Sequence, residues 1–400
     1  MPHAMSIELV CLIAALLPVL LVPSLMPLTV FLARRKRLTD APNARKLQSE
    51  PVAVLGGMVI ITSISISLTV TNVFYDINSL FPSLCIMIVM FVFGMFDDLV
   101  GLSWTFKFGL QMIMVMLLFF CGSFGFYSFY GLFGLYDTPY WLSFLLSAFF
   151  GLLLINAVNF IDGIDGLASS MGVLIAGVMA YWNYYHSFMV SSLLSMIVGS
   201  TLLMFFFYNV FSSKYKIYMG DSGSLLLGLF VYISANPAPY NTLNDEFLVD
   251  RYFISFLLAL TSGMTLDLVR VVLTRLLRGQ SPFHPDRNHL HHVFVDLGIS
   301  HLMATLHLLF RSVVMLVVWY VSAIFEMQVT MQFFVVLICS AVLFWLPFIR
   351  ITFLKEHYPL RYVRLSHRWQ RCSKWLDPFA NLMSRILDGR RKVKTIGGGQ

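Results

Sequence analysis

The stretch WLSFLLSAFFGLLLINAVNFIDGID, residues 141–165, joins a long apolar run to a cluster of amides and carboxylates. The apolar part, 141–158, has the length of a helix that crosses a hydrocarbon core of about 30 Å. Carboxylates beside such a run are costly unless they are paired, hydrated or bound to a metal, so they indicate a functional site. The stretch therefore predicts both a membrane fold and the part of that fold in which chemistry occurs.

The composition of the whole chain agrees with this interpretation. Of its 400 residues 58% are hydrophobic and only 12% are charged, and the mean hydropathy is +0.79, which excludes an ordinary soluble globular protein. About eleven apolar runs could each span a bilayer; they cover about 7–33, 53–74, 80–96, 108–126, 141–158, 168–185, 189–210, 222–236, 252–273, 303–325 and 329–349. We predict an all-α, polytopic integral membrane protein with about eleven transmembrane helices.

The basic residues predict the orientation of these helices. When the N-terminus is placed outside, 24 of the 27 Lys and Arg residues fall in loops on the inner side or in the tail. Positive residues concentrate on the cytoplasmic side of membrane proteins, so we predict an N-out, C-in topology. We divide the chain into a polytopic domain, 1–350, and a basic cytoplasmic tail, 351–400, whose Arg, Lys, Trp and Tyr residues are typical of a segment on an anionic leaflet.

Acidic and amide groups recur at the inner ends of the predicted helices, so the active-site loops are expected on the cytoplasmic face. Asp97 and Asp98 are adjacent, and carboxylate pairs suit a hard cation such as Mg²⁺. Asn156, Asn159 and Asp162 recur at helical spacing and share one face. Asp162 and Asp165 could bind a metal or act as bases, whereas the alternative is a polar helix end followed by a glycine turn.

Three further segments carry polar groups on the same predicted face. Asp221 lies in a Gly-Asp-Ser-Gly-Ser segment, which could cap a helix or allow close approach of a phosphate or a metal. Asp267 and Arg270 are three residues apart and could neutralise each other. The basic segment near 290 lacks the spacing of a zinc site, so recognition of a nucleotide or phosphate is the better interpretation; its candidates are Arg287, His289, His291 and His292.

Taken together, these segments resemble the polyprenyl-phosphate N-acetylhexosamine-1-phosphate transferase superfamily. The matching segments, in family order, are 42–46, 55–57, 96–98, 156–167, 215–216 with 219–224, and 281–283 with 285–292. The last of these resembles the N-acetylglucosamine branch of the superfamily. The resemblance implies a membrane enzyme that transfers N-acetylglucosamine 1-phosphate from UDP-GlcNAc to undecaprenyl phosphate in the bacterial inner membrane, for O-antigen, common-antigen or related glycans.

The resemblance also implies roles for individual residues and partners. Asp221 is the first candidate ligand of Mg²⁺, with Asp98 and Asp162 nearby and Mn²⁺ as an alternative ion. The expected catalytic acids are Asp97, Asp98, Asp162 and Asp165. The expected substrate-binding residues are Arg45, Lys46, Asn156, Asn159, Lys216, Arg287, His289, His291 and His292. The expected partners are UDP-GlcNAc, undecaprenyl phosphate and the lipid bilayer; no nucleic acid is expected, and a homodimer is compatible with the sequence.

Other functions remain open at this point. The same chemistry could use another UDP-N-acetylhexosamine donor, and a phosphatase acting on lipid pyrophosphates would use water as the nucleophile. A cation-coupled transporter would place acids near mid-membrane, along a path open to both sides. Here the acids are predicted at one side only, which favours the transferase over the transporter.

Overall fold

The computed structural model describes residues 6–40, 52–122, 124–236, 251–282 and 288–389. A short antiparallel pairing joins β1, Thr39–Asp40, to β2, Val52–Ala53. The helices are α1 Ile7–Arg35, α2 Gly56–Phe74, α3 Phe81–Val100, α4 Trp104–Gly122, α5 Tyr140–Ile161, α6 Leu167–Tyr185, α7 Met189–Phe211, α8 Gly220–Ser234, α9 Phe253–Leu277, α10 Leu290–Asp296, α11 His301–Ile324, α12 Val329–His357, α13 Pro359–Ser373 and α14 Asp377–Asp388.

The all-α, polytopic membrane fold is confirmed. Each of the eleven apolar runs coincides with a helix, and nine of the described helices are long and apolar enough to cross a membrane. The other two are α8, which has only 15 residues, and α6, which carries the buried polar residues Ser169, Ser170 and Asn183. The count of eleven spans and their orientation stay predictions.

Helix α8 lies at the centre of the bundle, packed against α2, α3 and α5. Its residues from Ser222 to Ser234 are all buried, so this helix does not face lipid. The approach to α3 is close because Gly94 has no side chain; a Cβ at that position would meet the backbone of Asp221 and Ser222. The N-terminus of α8 is therefore held directly beside the end of α3.

The polar segments of the sequence meet at one end of this bundle. Helix α5 ends at Ile161 and α6 begins at Leu167, and Gly166 between them has the positive φ of 82° that glycine tolerates. Hydrogen bonds and an ion pair connect the start of α8 with the end of α5, the end of α3 and the start of α4. The helix ends thus place residues that are far apart in sequence around a common site.

The C-terminal part of the chain packs against the same end. Helix α12 continues through position 350, the expected domain boundary, as far as His357. In α13, the Tyr362 hydroxyl donates to the Asp296 carbonyl (3.1 Å), and the Ser373 hydroxyl accepts from the Ser300 N–H (3.1 Å). The opposite face of α13 exposes arginines at helical spacing, which are Arg361, Arg364, Arg368 and Arg371. Helix α14 contacts α7.

Candidate active site

Asp98 caps the N-terminus of α8 from the end of α3. Its carboxylate accepts the backbone N–H groups of Asp221 (2.8 Å) and Ser222 (3.0 Å). A carboxylate is favourable there because the first N–H groups of a helix have no partners within the helix and carry partial positive charge. Gly220 has a φ of 71°, and a Cβ there would lie 2.7 Å from the Asp98 carboxylate. The capping role that the sequence offered to Asp221 thus belongs to Asp98.

Lys107, near the start of α4, connects two of the predicted acids. Its Nζ forms an ion pair with the buried Asp97 and lies 3.1 Å from the Asp221 carboxylate. The other oxygen of Asp97 accepts the Leu102 N–H (2.9 Å), which fixes the turn between α3 and α4. The Asp221 side chain is 33% exposed, so this carboxylate can be reached from solvent. Asp97 therefore orients Lys107, and Lys107 partly neutralises Asp221.

The two asparagines of α5 have different partners. The Asn159 amide donates to Asp221 Oδ1 and to Ser224 Oγ, at 2.8 Å in both cases. The Asn156 amide instead donates to Gln111 Oε1 (2.7 Å) and to the Leu152 carbonyl (2.8 Å). The structure brings Asn159 to the acid cluster, whereas the hydrogen bond of the Asn156 amide to Gln111 joins α5 to α4.

Asp162, immediately after α5, is half-buried and lacks a compensating cation. Among the described residues, nothing donates a hydrogen bond or forms an ion pair with its carboxylate. Burial raises the pKa of Asp162 well above the ordinary value, and the negative charges of Asp221, Asp98 and Asp165 raise it further. An ionised Asp162 therefore requires positive charge that this part of the chain does not supply.

Asp165, by contrast, has basic partners. Lys216 Nζ lies 2.7 Å from its carboxylate and His301 Nδ1 lies 3.3 Å from it. Burial alone would raise the pKa of Asp165, but its contact with His301 and the charge of Lys216 outweigh burial and lower the pKa. Asp165 is therefore ionised, and it holds Lys216, a predicted substrate-binding residue, at the edge of the site.

Asp267 supports the histidine segment from α9. Its buried carboxylate accepts from Arg270 (2.7 Å) and from the Leu290 N–H (3.3 Å), and lies 3.0 Å from His289 Nδ1. Arg270 also donates to the Asn288 carbonyl. The His289 ring stacks on Phe160 with 5.1 Å between ring centroids, and its buried Nε2 has no hydrogen-bond partner in the described parts. Both halves of the Asp267–Arg270 pair thus hold the start of α10.

The other two histidines extend this stack toward the turn after α5. The rings of His291 and His292 lie 4.2 Å apart, and His291 Nε2 is the atom nearest to where a side chain at Gly163 would point. Burial, followed by the charge of His292, holds the pKa of His291 well below the ordinary value, so His291 is neutral. The histidine segment is therefore adjacent to Asp162, as a shared site requires.

Three predicted substrate-binding residues, Arg45, Lys46 and Arg287, lie outside the described residues.

Two residues of the cluster were not predicted. No local sequence pattern identifies Lys107, because it lies in the helix after Asp97 and meets that acid only in the folded protein. His301 is also outside the predicted set, yet it contacts Asp165. The sequence signal that could have identified it is its position at the inner end of a predicted helix.

The arrangement fits a divalent cation that is shared with substrate. No group of three or more His, Cys, Asp or Glu side chains in the described ranges could hold a metal ion by itself. Mg²⁺ usually takes one or two carboxylates and completes its shell with water and substrate phosphates. The unpartnered Asp162 and the accessible Asp221 meet this requirement, and Asp98 is held beside them by α8. The site is thus suited to binding phosphate groups through a cation and Lys107.

Comparison with known proteins agrees with this geometry. Residues 80–236 match the family model described as "Glycosyl transferase family 4". The matched segment contains the acids of α3, the turn after α5, and the start of α8. The histidine segment and Asp267 lie beyond it.

Several curated proteins are similar over longer stretches. A probable undecaprenyl-phosphate N-acetylglucosaminyl 1-phosphate transferase of Bacillus subtilis (strain 168) is 26% identical over 74% of this chain and 80% of its own length. The undecaprenyl-phosphate alpha-N-acetylglucosaminyl 1-phosphate transferase of Escherichia coli (strain K12) is 26% identical over 67% and 72%. A decaprenyl-phosphate N-acetylglucosaminephosphotransferase of Mycobacterium leprae is 32% identical over 40% and 43%.

The predicted class of enzyme matches that of these relatives. The chain is a multi-pass membrane protein whose acid cluster lies largely within the matched segment. The resemblance to polyprenyl-phosphate N-acetylhexosamine-1-phosphate transferases is thereby confirmed, with the similarity to Glycosyl transferase family 4 carried by residues 80–236.

Proposed function

We propose that this protein transfers N-acetylglucosamine 1-phosphate from UDP-GlcNAc to undecaprenyl phosphate, giving undecaprenyl-pyrophosphoryl-GlcNAc and UMP. The observation that carries the proposal is the convergence of Asp98, Asp221 and Lys107 at the N-terminus of α8, next to the uncompensated Asp162. Such a site suits reactants that bear phosphate groups. The names of the relatives specify the polyprenyl phosphate and the N-acetylglucosamine.

In this reaction an oxygen of the lipid phosphate attacks the β-phosphorus of the donor, and the bond to the UMP oxygen breaks. A phosphate monoester has its second pKa near 6, so at neutral pH the acceptor is mostly dianionic and needs no strong base. Asp97 is buried against Lys107 and accepts from Leu102. We therefore assign Asp97 to holding Lys107, rather than to removing a proton.

Neutralisation of negative charge is the main requirement, because three phosphate groups meet in the reaction. Mg²⁺, or Mn²⁺ in its place, would be held by Asp221 and Asp162 with Asp98 beside them, and would supply positive charge to the phosphate oxygens. Lys107 contributes a fixed positive charge to the same region. Asn159 orients the Asp221 carboxylate through Oδ1.

The remaining predicted residues are assigned to binding. We place the nucleotide-sugar against the histidine segment, where His289 and His291 each have a buried ring nitrogen without a hydrogen-bond partner in the described chain. Lys216 is assigned to the donor side through its contact with Asp165. Arg45 and Lys46 are assigned to the lipid phosphate, and Arg287 to the nucleotide-sugar, on the basis of the family resemblance alone.

We place the reaction at the cytoplasmic face of the bacterial inner membrane. The support is the concentration of basic residues in the loops and tail at the end where the acids meet. There the soluble donor and the lipid acceptor can both reach the site. The product would enter the first membrane step of O-antigen, common-antigen or a related surface glycan.

The test is release of UMP by the purified, reconstituted protein. We expect release from UDP-GlcNAc that depends strictly on undecaprenyl phosphate and on a divalent cation, with slower release from other UDP-N-acetylhexosamines. Asp221→Asn protein serves as the background control. Release without the lipid would indicate hydrolysis, and preference for another donor would reassign the substrate. Absence of release from every donor would refute the proposal.

A further inference from the structure

Helix α14 ends on the loop that carries Lys216. Its last residue, Asp388, accepts hydrogen bonds from the hydroxyls of Ser212 (2.6 Å) and Ser213 (2.8 Å). The same carboxylate accepts the backbone N–H groups of Ser213 (2.8 Å) and Lys214 (3.3 Å). One tail side chain thus satisfies four donors of the turn that follows α7.

The location of Asp388 indicates that these contacts are specific. A carboxylate at a helix C-terminus opposes the helix dipole and is unfavourable unless other groups compensate for it. Burial would raise the pKa of Asp388, but the hydrogen bonds from Ser212 and Ser213 outweigh burial and lower the pKa, so the group is ionised. Phe379 of the same helix packs edge-on against Phe211 (5.5 Å between centroids) and fixes α14 beside the loop.

The anchored turn leads directly into the acid cluster. Lys214 precedes Lys216 by two residues, and Lys216 Nζ lies 2.7 Å from Asp165. Beyond it, the Tyr218 N–H donates to the Ala53 carbonyl (2.8 Å), and α8 begins with Gly220. The Lys214 carbonyl accepts from Arg34 of α1 (2.9 Å). The loop is therefore held on one side by α14 and on the other by α1 and β2.

We propose that Asp388 is a positioning residue for transfer, acting through the 212–216 loop on Lys216. Lys216 has a long side chain with several rotatable bonds, so its direction depends on where its backbone is held. Without Asp388, the N–H groups of Ser213 and Lys214 require water, and the start of the loop is free to move. A displacement near 1 Å of a positioning group can cost about 100-fold in rate.

The inference rests on the proposed function, because it concerns the same reaction. We expect Asp388→Ala to lower kcat/KM for the donor by about 10-fold or more, and Asp388→Asn, which retains one acceptor oxygen, to lower it less. Asp377→Asn is the matched control, since this acid is exposed at the start of the same helix. We expect the control to retain the activity of the unaltered protein.

A second variant separates positioning from general damage. In a Lys216→Ala background, Asp388→Ala should lower kcat/KM by less than about 2-fold, because a residue acting through Lys216 has nothing left to position. Equal losses with and without Lys216 would show that Asp388 stabilises the protein generally, and would overturn the inference. So would unchanged kcat/KM for Asp388→Ala.

Amide hydrogen exchange gives a readout that does not need transfer. We expect Asp388→Ala to speed exchange at Ser213 and Lys214, with little change in α9 and α11. Unchanged exchange at these two amides would contradict the contact itself. If the unaltered protein showed no transfer, the proposed function would fail, while faster exchange in the variant would still establish the anchoring of the loop.

Discussion

Asp267 and Asp162 are acids of the same site with opposite surroundings. Asp267 is 3% exposed and has Arg270, His289 and the Leu290 N–H as partners. Asp162 has three acidic neighbours and no partner among the described residues. A buried acid that is fully paired serves the architecture, whereas an acid left unpaired beside other acids needs a cation from outside to be ionised. If the proposed function holds, the difference separates a residue that supports the site from one that takes part in the reaction.

The largest effect is expected on stability, at Asp267, whose carboxylate is fully paired. Asp267→Ala would leave the buried Arg270 without its carboxylate, and breaking a buried pair costs about 3–5 kcal/mol of stability. The measurement is thermal unfolding of the protein in detergent. A variant with the stability of the unaltered protein would mean that Asp267 is not structural.

Substitutions of Asp98 and Asp221, which meet at the start of α8, should affect transfer more than folding. In the proposed reaction, Asp98→Asn and Asp221→Asn each remove a charge that would balance the cation, and we expect kcat to fall by about 100- to 1,000-fold. Transfer assays with Mg²⁺ supplied, together with unfolding curves, check this. Near-normal transfer by both variants would refute their role at the metal.

A smaller loss of activity is expected when Lys107 of the same cluster is replaced. Lys107→Gln removes the positive charge between Asp97 and Asp221, so we expect kcat to fall by about 10-fold. The two carboxylates would then attract Mg²⁺ more strongly, so half-maximal activity should require less Mg²⁺. Lys36→Gln, an exposed basic residue at the end of α1, is the control. An unchanged Mg²⁺ requirement would argue against Lys107 as a competing cation.

The smallest effect concerns the stability of the metal-free protein. The raised pKa of Asp162 means that the folded state disfavours its ionised form, so without metal Asp162 lowers stability as the pH rises through that pKa. Asp162→Asn should therefore raise the unfolding temperature of the metal-free protein near neutral pH by roughly 1–3 °C.

Mg²⁺ should stabilise the two proteins to different extents. It should stabilise the unaltered protein more than Asp162→Asn, and this advantage should shrink as acidification protonates Asp162. Unfolding curves with and without Mg²⁺ over a pH series check both statements. An equal Mg²⁺ effect on the two proteins would remove Asp162 from the cation site.

The sequence was sufficient for the helices and for most of the acids. Apolar runs of spanning length predicted the positions of the helices, because exclusion from water acts locally along the chain. The acids of the turn after α5 were recognisable because carboxylates are rare in so apolar a chain. The helical spacing of Asn156, Asn159 and Asp162 was less informative, because α5 ends before Asp162 and the two asparagines have different partners.

The pairings between helices could not be predicted. Asp98 caps a helix that begins more than a hundred residues later, and Lys107 joins acids of two helices. No spacing in the sequence encodes such contacts, because they depend on how α8 packs against α3. The anchoring of the 212–214 turn by Asp388 has the same origin.

The cap that Asp98 places on α8 has a consequence for competition by free inorganic phosphate. An open helix N-terminus is a general anion trap. Here a tethered carboxylate already occupies the foremost N–H groups, at an effective concentration that a dissolved ion cannot match. We therefore expect orthophosphate to be a weak inhibitor of transfer.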